Sequence, residues 1–103
     1  MLRTSIDQGP APTVYLLGEM DLDCADTLRE TVTTAAAGAQ TVALDFAGVE
    51  FVDSSGTGIF VRLCLDMGSQ GTPLIARNLS PAVRGVFDML RVRELVGDAV
   101  FPD

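Results

Sequence analysis

The chain of 103 residues has no histidine, no lysine and no tryptophan, and only two cysteines. Each absence closes a class of chemistry. Without histidine there is no Ser-His or Cys-His pair to activate a nucleophile. Without lysine there is no P-loop lysine, Schiff base or Ser-Lys dyad. Cys24 and Cys64 do not form a CxxC pair, and with no histidine to join them a zinc site is not expected. No apolar run approaches the length of a membrane span, and no basic, apolar leader opens the sequence. The expectation is a cytoplasmic binding protein, not an enzyme, with no metal and no cofactor. Carboxylate chemistry at a metal, using Asp21, Asp45 and Asp53, is the one enzymatic route left formally open.

What is present is a globular balance, 48% hydrophobic and 20% charged, in a length that suits one domain over residues 1–103. The formal net charge is −7, and it is unevenly spread. Residues 1–53 hold nine acids and two arginines, whereas residues 54–103 hold five of each. An acidic first half argues against nucleic-acid binding, which relies on cations to displace counterions. It favours a partner with a basic surface. A monomer is the default, with pairing through a sheet edge or an exposed helix as the other option.

Strands are expected at 2–7 and 13–17, separated by the turn residues Gly9, Pro10 and Pro12. A helix is expected over 24–37, with Ala25, Leu28, Val32 and Ala35 on one face, Asp23 as its N-cap and Gly38 as its stop. Residues 41–46 and 49–52 read as two extended pieces around Gly48. A second, well-buried helix spans 55–67, and a short strand 73–76 follows. Ser80-Pro81 opens a third helix with a good cap and proline at the first position. A turn and a last strand at Ala99–Phe101 are expected to close the chain. The order β-β-α-β-α-β-α implies an α/β layer structure: a mixed sheet with parallel pairs, right-handed crossovers and helices packed against it.

The chemically informative stretch is Phe51-Val52-Asp53-Ser54-Ser55-Gly56-Thr57-Gly58, where a strand passes into a helix. Free amides and the positive end of the helix dipole meet there, and such a place accepts a phosphate. Gly56 and Gly58 keep Cβ atoms away, so another backbone could come close. Taken alone, these residues are ordinary cap and turn chemistry.

Three segments together are more specific. Gly18-Glu19-Met20-Asp21, Phe51-Val52-Asp53-Ser54-Ser55-Gly56-Thr57-Gly58 and Leu79-Ser80-Pro81-Ala82-Val83-Arg84-Gly85-Val86-Phe87-Asp88 occur in order. With the first segment running on through Leu22 and Asp23 and the third through Met89, they resemble the STAS family, in particular bacterial anti-sigma-factor antagonists, over roughly residues 5–101. The resemblance implies a single STAS domain that, unphosphorylated, binds an anti-sigma factor which is also a serine kinase, and so releases a sigma factor. It implies that the kinase switches the protein off by phosphorylating Ser54, with Ser55 as the alternative, and that a serine phosphatase reverses this. Asp21, Asp23, Asp53, Ser55, Gly56, Thr57 and Gly58 are then the expected partner-binding residues, although Asp23 is read first as a helix cap. No nucleic acid and no membrane is expected among the partners. Thr57 stands where the family usually has a larger apolar residue, and residues 90–95 lack a glycine that many relatives carry. A second expectation is a STAS module that binds its partner constitutively, for example an accessory subunit of a membrane lipid-transport complex.

Overall fold

Hydrophobic alternation sets the sheet. In the computed structural model, which describes residues 1–102, strands β1 (Leu2–Asp7) and β2 (Thr13–Met20) form an antiparallel hairpin. β3 (Val42–Val52) and β4 (Leu74–Arg77) add in parallel, giving a four-stranded mixed sheet in the order β1-β2-β3-β4. Val14, Leu16 and Met20 on β2, Val42, Leu44 and Phe46 on β3, and Leu74 and Ala76 on β4 are all buried. Helices α1 (Ala25–Ala36), α2 (Ser54–Ser69) and α3 (Pro81–Met89) lie in the connections that follow β2, β3 and β4. Successive right-handed crossovers in one direction put them on one face of the sheet. The other face, bearing Arg3, Ser5, Tyr15, Leu17 and Arg77, stays exposed. This is the expected fold class, with a mixed sheet and helices packed against it.

Several boundaries differ from expectation, each for a physical reason. β3 is one strand, not two pieces. Its pairing with β2 slips between Tyr15–Asp45 and Leu17–Gly48, so β3 bulges at this point. Asp45 stabilises the bulge by accepting the Ala47 amide at 2.8 Å, and its other oxygen accepts from Asn78 Nδ2 at 2.7 Å. Gly48 is therefore not a break. Leu17 lies across it, and a Cβ there would collide with that side chain and with the Leu16 carbonyl.

The chain end is not a strand. After α3 comes a short helix α4 (Val92–Val96), entered through Arg91 in the left-handed region, and then a 3-10 turn at Asp98–Val100. A strand would send Val100 and Phe101 to opposite faces. Here both are buried. Phe101 joins Phe46, Phe60 and Phe87 in a cluster whose paired rings have centroids 5.2 to 6.3 Å apart. Arg93 lies 5.0 Å over the Phe101 ring.

Candidate functional site

The site forms where β2 and β3 end side by side. Met20 pairs with Val52, and the Asp53 amide donates to the Met20 carbonyl at 3.3 Å. The two strand ends thus carry Asp21 and Asp53 out of the sheet together. Each aspartate then caps the turn that follows it. Asp53 Oδ1 accepts the Gly56 amide at 2.8 Å and starts α2. Asp21 Oδ1 accepts the Asp23 amide at 3.0 Å and starts a 3-10 turn, Leu22–Cys24. This corrects the expected N-cap. Asp23 caps nothing, and α1 begins directly from the 3-10 turn with Cys24 at the cap position and no side-chain bond.

Ser54 and Ser55 are the first two helical residues, and both are exposed. The Asp53 carboxylate takes the Gly56 amide, and no side chain among the described residues takes the amides of Ser54 and Ser55 at the positive end of the helix. Gly58 is also exposed, with open space around it.

Gly56 and Thr57 make internal contacts at the site. Gly56 is buried, and a Cβ on it would collide with the Met20 carbonyl. The close backbone approach that this glycine permits is internal: the first turn of α2 sits on the Met20–Asp21 peptide. Thr57 is 2% exposed, and its hydroxyl donates to the Asp53 carbonyl at 2.8 Å. Both residues shape the site from below and offer no side chain to a partner.

Two residues inside the motif segments, though not among the expected partner-binding residues, are exposed apolar points. Leu22 is 71% exposed on the 3-10 turn that packs against α2, and Phe51 is 49% exposed three residues before Ser54. The available signal was Leu22 standing between Asp21 and Asp23, outside the apolar stripe of α1. With Asp21, Asp23, Asp53, Glu19 and Glu50 nearby along the chain, the rim of the site is acidic with apolar points.

The cysteines are not reactive groups. Cys24 and Cys64 are buried free thiols. Burial pushes Cys64 up to about 12. Burial, and then the charge of Asp21, also pushes Cys24 up. Both are neutral thiols near pH 7 and poor nucleophiles. The carboxylate-metal alternative also loses its geometry. Asp45 is engaged at the bulge, eight residues and roughly 20 Å of strand before Asp53. Among the described residues no three Asp, Glu or Cys side chains are grouped to hold a metal. No helix among them is long and apolar enough to cross a membrane.

Comparison with known proteins bears on the fold. A family model described as Mlab, STAS domain matches residues 5–97. The anti-sigma-B factor antagonist of Bacillus subtilis is 29% identical over 83 residues, which is 81% of this chain and 76% of that protein. The anti-sigma factor antagonist SpoIIAA in its unphosphorylated form superposes with TM-score 0.69 at 24% identity, covering 92% of this chain and 84% of the other. SpoIIAA from Bacillus in the phosphorylated form gives TM-score 0.64 at 23% identity, covering 92% and 87%. A sulfate transporter family protein from Wolinella succinogenes gives TM-score 0.72 at 19% identity, covering 86% and 74%.

Proposed function

From the premise that this chain belongs to the STAS domain family, we propose that it is an anti-sigma-factor antagonist switched by phosphorylation of Ser54. The unphosphorylated form binds an anti-sigma factor that is also a serine kinase, and this frees the sigma factor. Phosphorylation ends the complex, and a serine phosphatase restores it. One observation carries the reading: Ser54 is exposed at the first position of a capped helix, and the aspartates ending both neighbouring strands flank it. The similarity to an antagonist from Bacillus subtilis supports the same direction.

The electrostatics of the switch follow from this placement. A phosphate on Ser54 adds about −1.5 to −2 charge at pH 7. The free amides of Ser54 and Ser55 and the helix dipole offset part of it, so the fold survives. A partner seated over the acidic rim has no such compensation. It would bury a new charge beside Asp21 and Asp53, which costs several kcal/mol when left unpaired. The effect is a local loss of docking, with no rearrangement of the sheet. Leu22 and Phe51 supply apolar contacts on the docking surface, and Asp21, Asp23 and Asp53 select a basic partner.

A second reading also has an observation behind it. The matching family model is described by Mlab, and a sulfate transporter family protein shares the fold. In that reading the same surface holds a partner constitutively, as an accessory subunit of a membrane lipid-transport complex would, and Ser54 is never modified. The intact mass of the protein taken from its native host under several growth conditions, with peptide mapping, separates the two. A single phosphate on Ser54 whose occupancy changes with conditions supports the switch. Its absence under every condition, with Ser54→Asp retaining the partners that wild type retains, supports the constitutive module. Phosphate on Ser55 alone would move the acceptor by one residue.

A further inference from the structure

β1 is an edge strand of six residues with an unbroken register against β2, no proline and no bulge. Natural edges of this length are usually blunted by such devices, by charged side chains or by a covering element; on β1 the charges Arg3 and Asp7 are the one such device, and they are of opposite sign. The other edge, β4, has only four residues and the chain end packed near it. Beside β1, by contrast, lies an open groove of about 430 Å³ lined by Thr4, Ser5, Ile6, Glu30, Thr31 and Thr34.

The charges on β1 are unused within the chain. Arg3 and Asp7 are both exposed, and neither has an ion-pair partner among the described residues, whereas four of the other arginines do. Their opposite neighbours on β2 are uncharged: Leu17 faces Arg3, and Thr13 faces Asp7.

We infer that β1 is the interface for a second copy of this chain, joined edge to edge into one continuous sheet. A two-fold axis normal to the sheet makes the two β1 strands antiparallel and keeps the helices of both copies on the same face. Side chains then pair only with residues of the same face, which restricts the registers. Centring on Arg3 or on Asp7 opposes like charges. Centring on Thr4 pairs Arg3 with Ser5 and leaves the charges unmatched. Centring on Ser5 places Arg3 opposite the copy's Asp7, and Asp7 opposite its Arg3, both on the open face. Directly opposed unlike charges stabilise an antiparallel pair, and like charges destabilise it. The strand is complementary to itself in that one register. The antiparallel arrangement sends the two α2 N-termini to opposite ends of the joined sheet, so both Ser54 hydroxyls remain accessible.

Sedimentation velocity of the chain from micromolar to millimolar concentration tests this directly. Wild type is expected to shift from monomer toward dimer across the series. Arg3→Asp and Asp7→Arg, each alone, oppose like charges twice and should need about tenfold higher concentration to associate. An equimolar mixture of the two variants restores both unlike pairs, and so does the double variant in one chain. Both should associate like wild type. Circular dichroism checks that every variant is folded. Ser54→Asp should associate unchanged, which keeps this interface distinct from the phosphorylation site. A wild-type chain that stays monomeric throughout, or a mixture no more associated than its components, overturns the assignment.

Discussion

The first and second turns of α2 lie four residues apart and are held by different forces. The first, Ser54–Thr57, is organised by polar contacts: the Asp53 cap, the Thr57 hydroxyl on the Asp53 carbonyl, and a glycine pressed on the Met20 peptide. The second centres on Phe60, fully buried against Phe46, Phe87 and Phe101. Polar contacts of this kind fix geometry at about 1 kcal/mol each, whereas a buried aromatic contributes several. On the proposed reading, this division would let a phosphate sit on the exposed serine turn without endangering the core.

The largest expected effect falls on the aromatic side. Phe60→Ala should lower unfolding stability by about 3–5 kcal/mol, because it empties the middle of the ring cluster. Urea denaturation followed by circular dichroism measures it. A loss under 1 kcal/mol would mean that the cluster does not carry the fold, and the contrast with the first turn would collapse.

Gly56→Ala probes the boundary between the two. The new methyl collides with the Met20 carbonyl, which belongs to the backbone and cannot rotate away. The first turn must lift from the strand end, at a cost of about 1–3 kcal/mol as for other overpacked sites. The core below should hold, so near-UV signals from the phenylalanines should persist while amide NMR shifts concentrate at residues 20–24 and 53–58. Shifts spread evenly over the chain would show that the two turns are not separable.

This boundary was only partly legible in the sequence. Apolar spacing located α1, α2 and α3 to within a residue or two, and Ser80-Pro81 marked the start of α3 correctly, with Ser80 Oγ accepting the Val83 amide at 3.2 Å. Those signals are local. The internal contacts that require glycine at Gly56 and Gly48 were not legible, because they come from β2, and only strand pairing brings β2 there. The cap moved from Asp23 to Asp21 because a 3-10 turn precedes α1, and no periodicity announces a three-residue turn. Val100 and Phe101 looked like a strand from their β-forming side chains, yet the open space was in the aromatic core. The paired aspartates and serines were legible as a motif. Their convergence on one rim depended on the Met20–Val52 pairing.

The smallest effect belongs to Asp53, where capping and charge come apart. Asp53→Ala removes the acceptor for the Gly56 amide and should cost about 1 kcal/mol, within the range for lost N-caps. Asn is as good a cap as Asp, so Asp53→Asn should leave stability nearly unchanged while deleting one negative charge beside Ser54. If Asp53 serves only the geometry of the first turn, Asn should behave as wild type in every assay, including phosphorylation of Ser54 and release of the partner. If its charge is part of the switch, the Asn variant should be stable yet release its phosphorylated form less completely, because one of the two carboxylates that repel the phosphate is gone. Thermal unfolding and partner release measured on the same two variants decide between a structural and an electrostatic role for the residue that joins the two halves of the site.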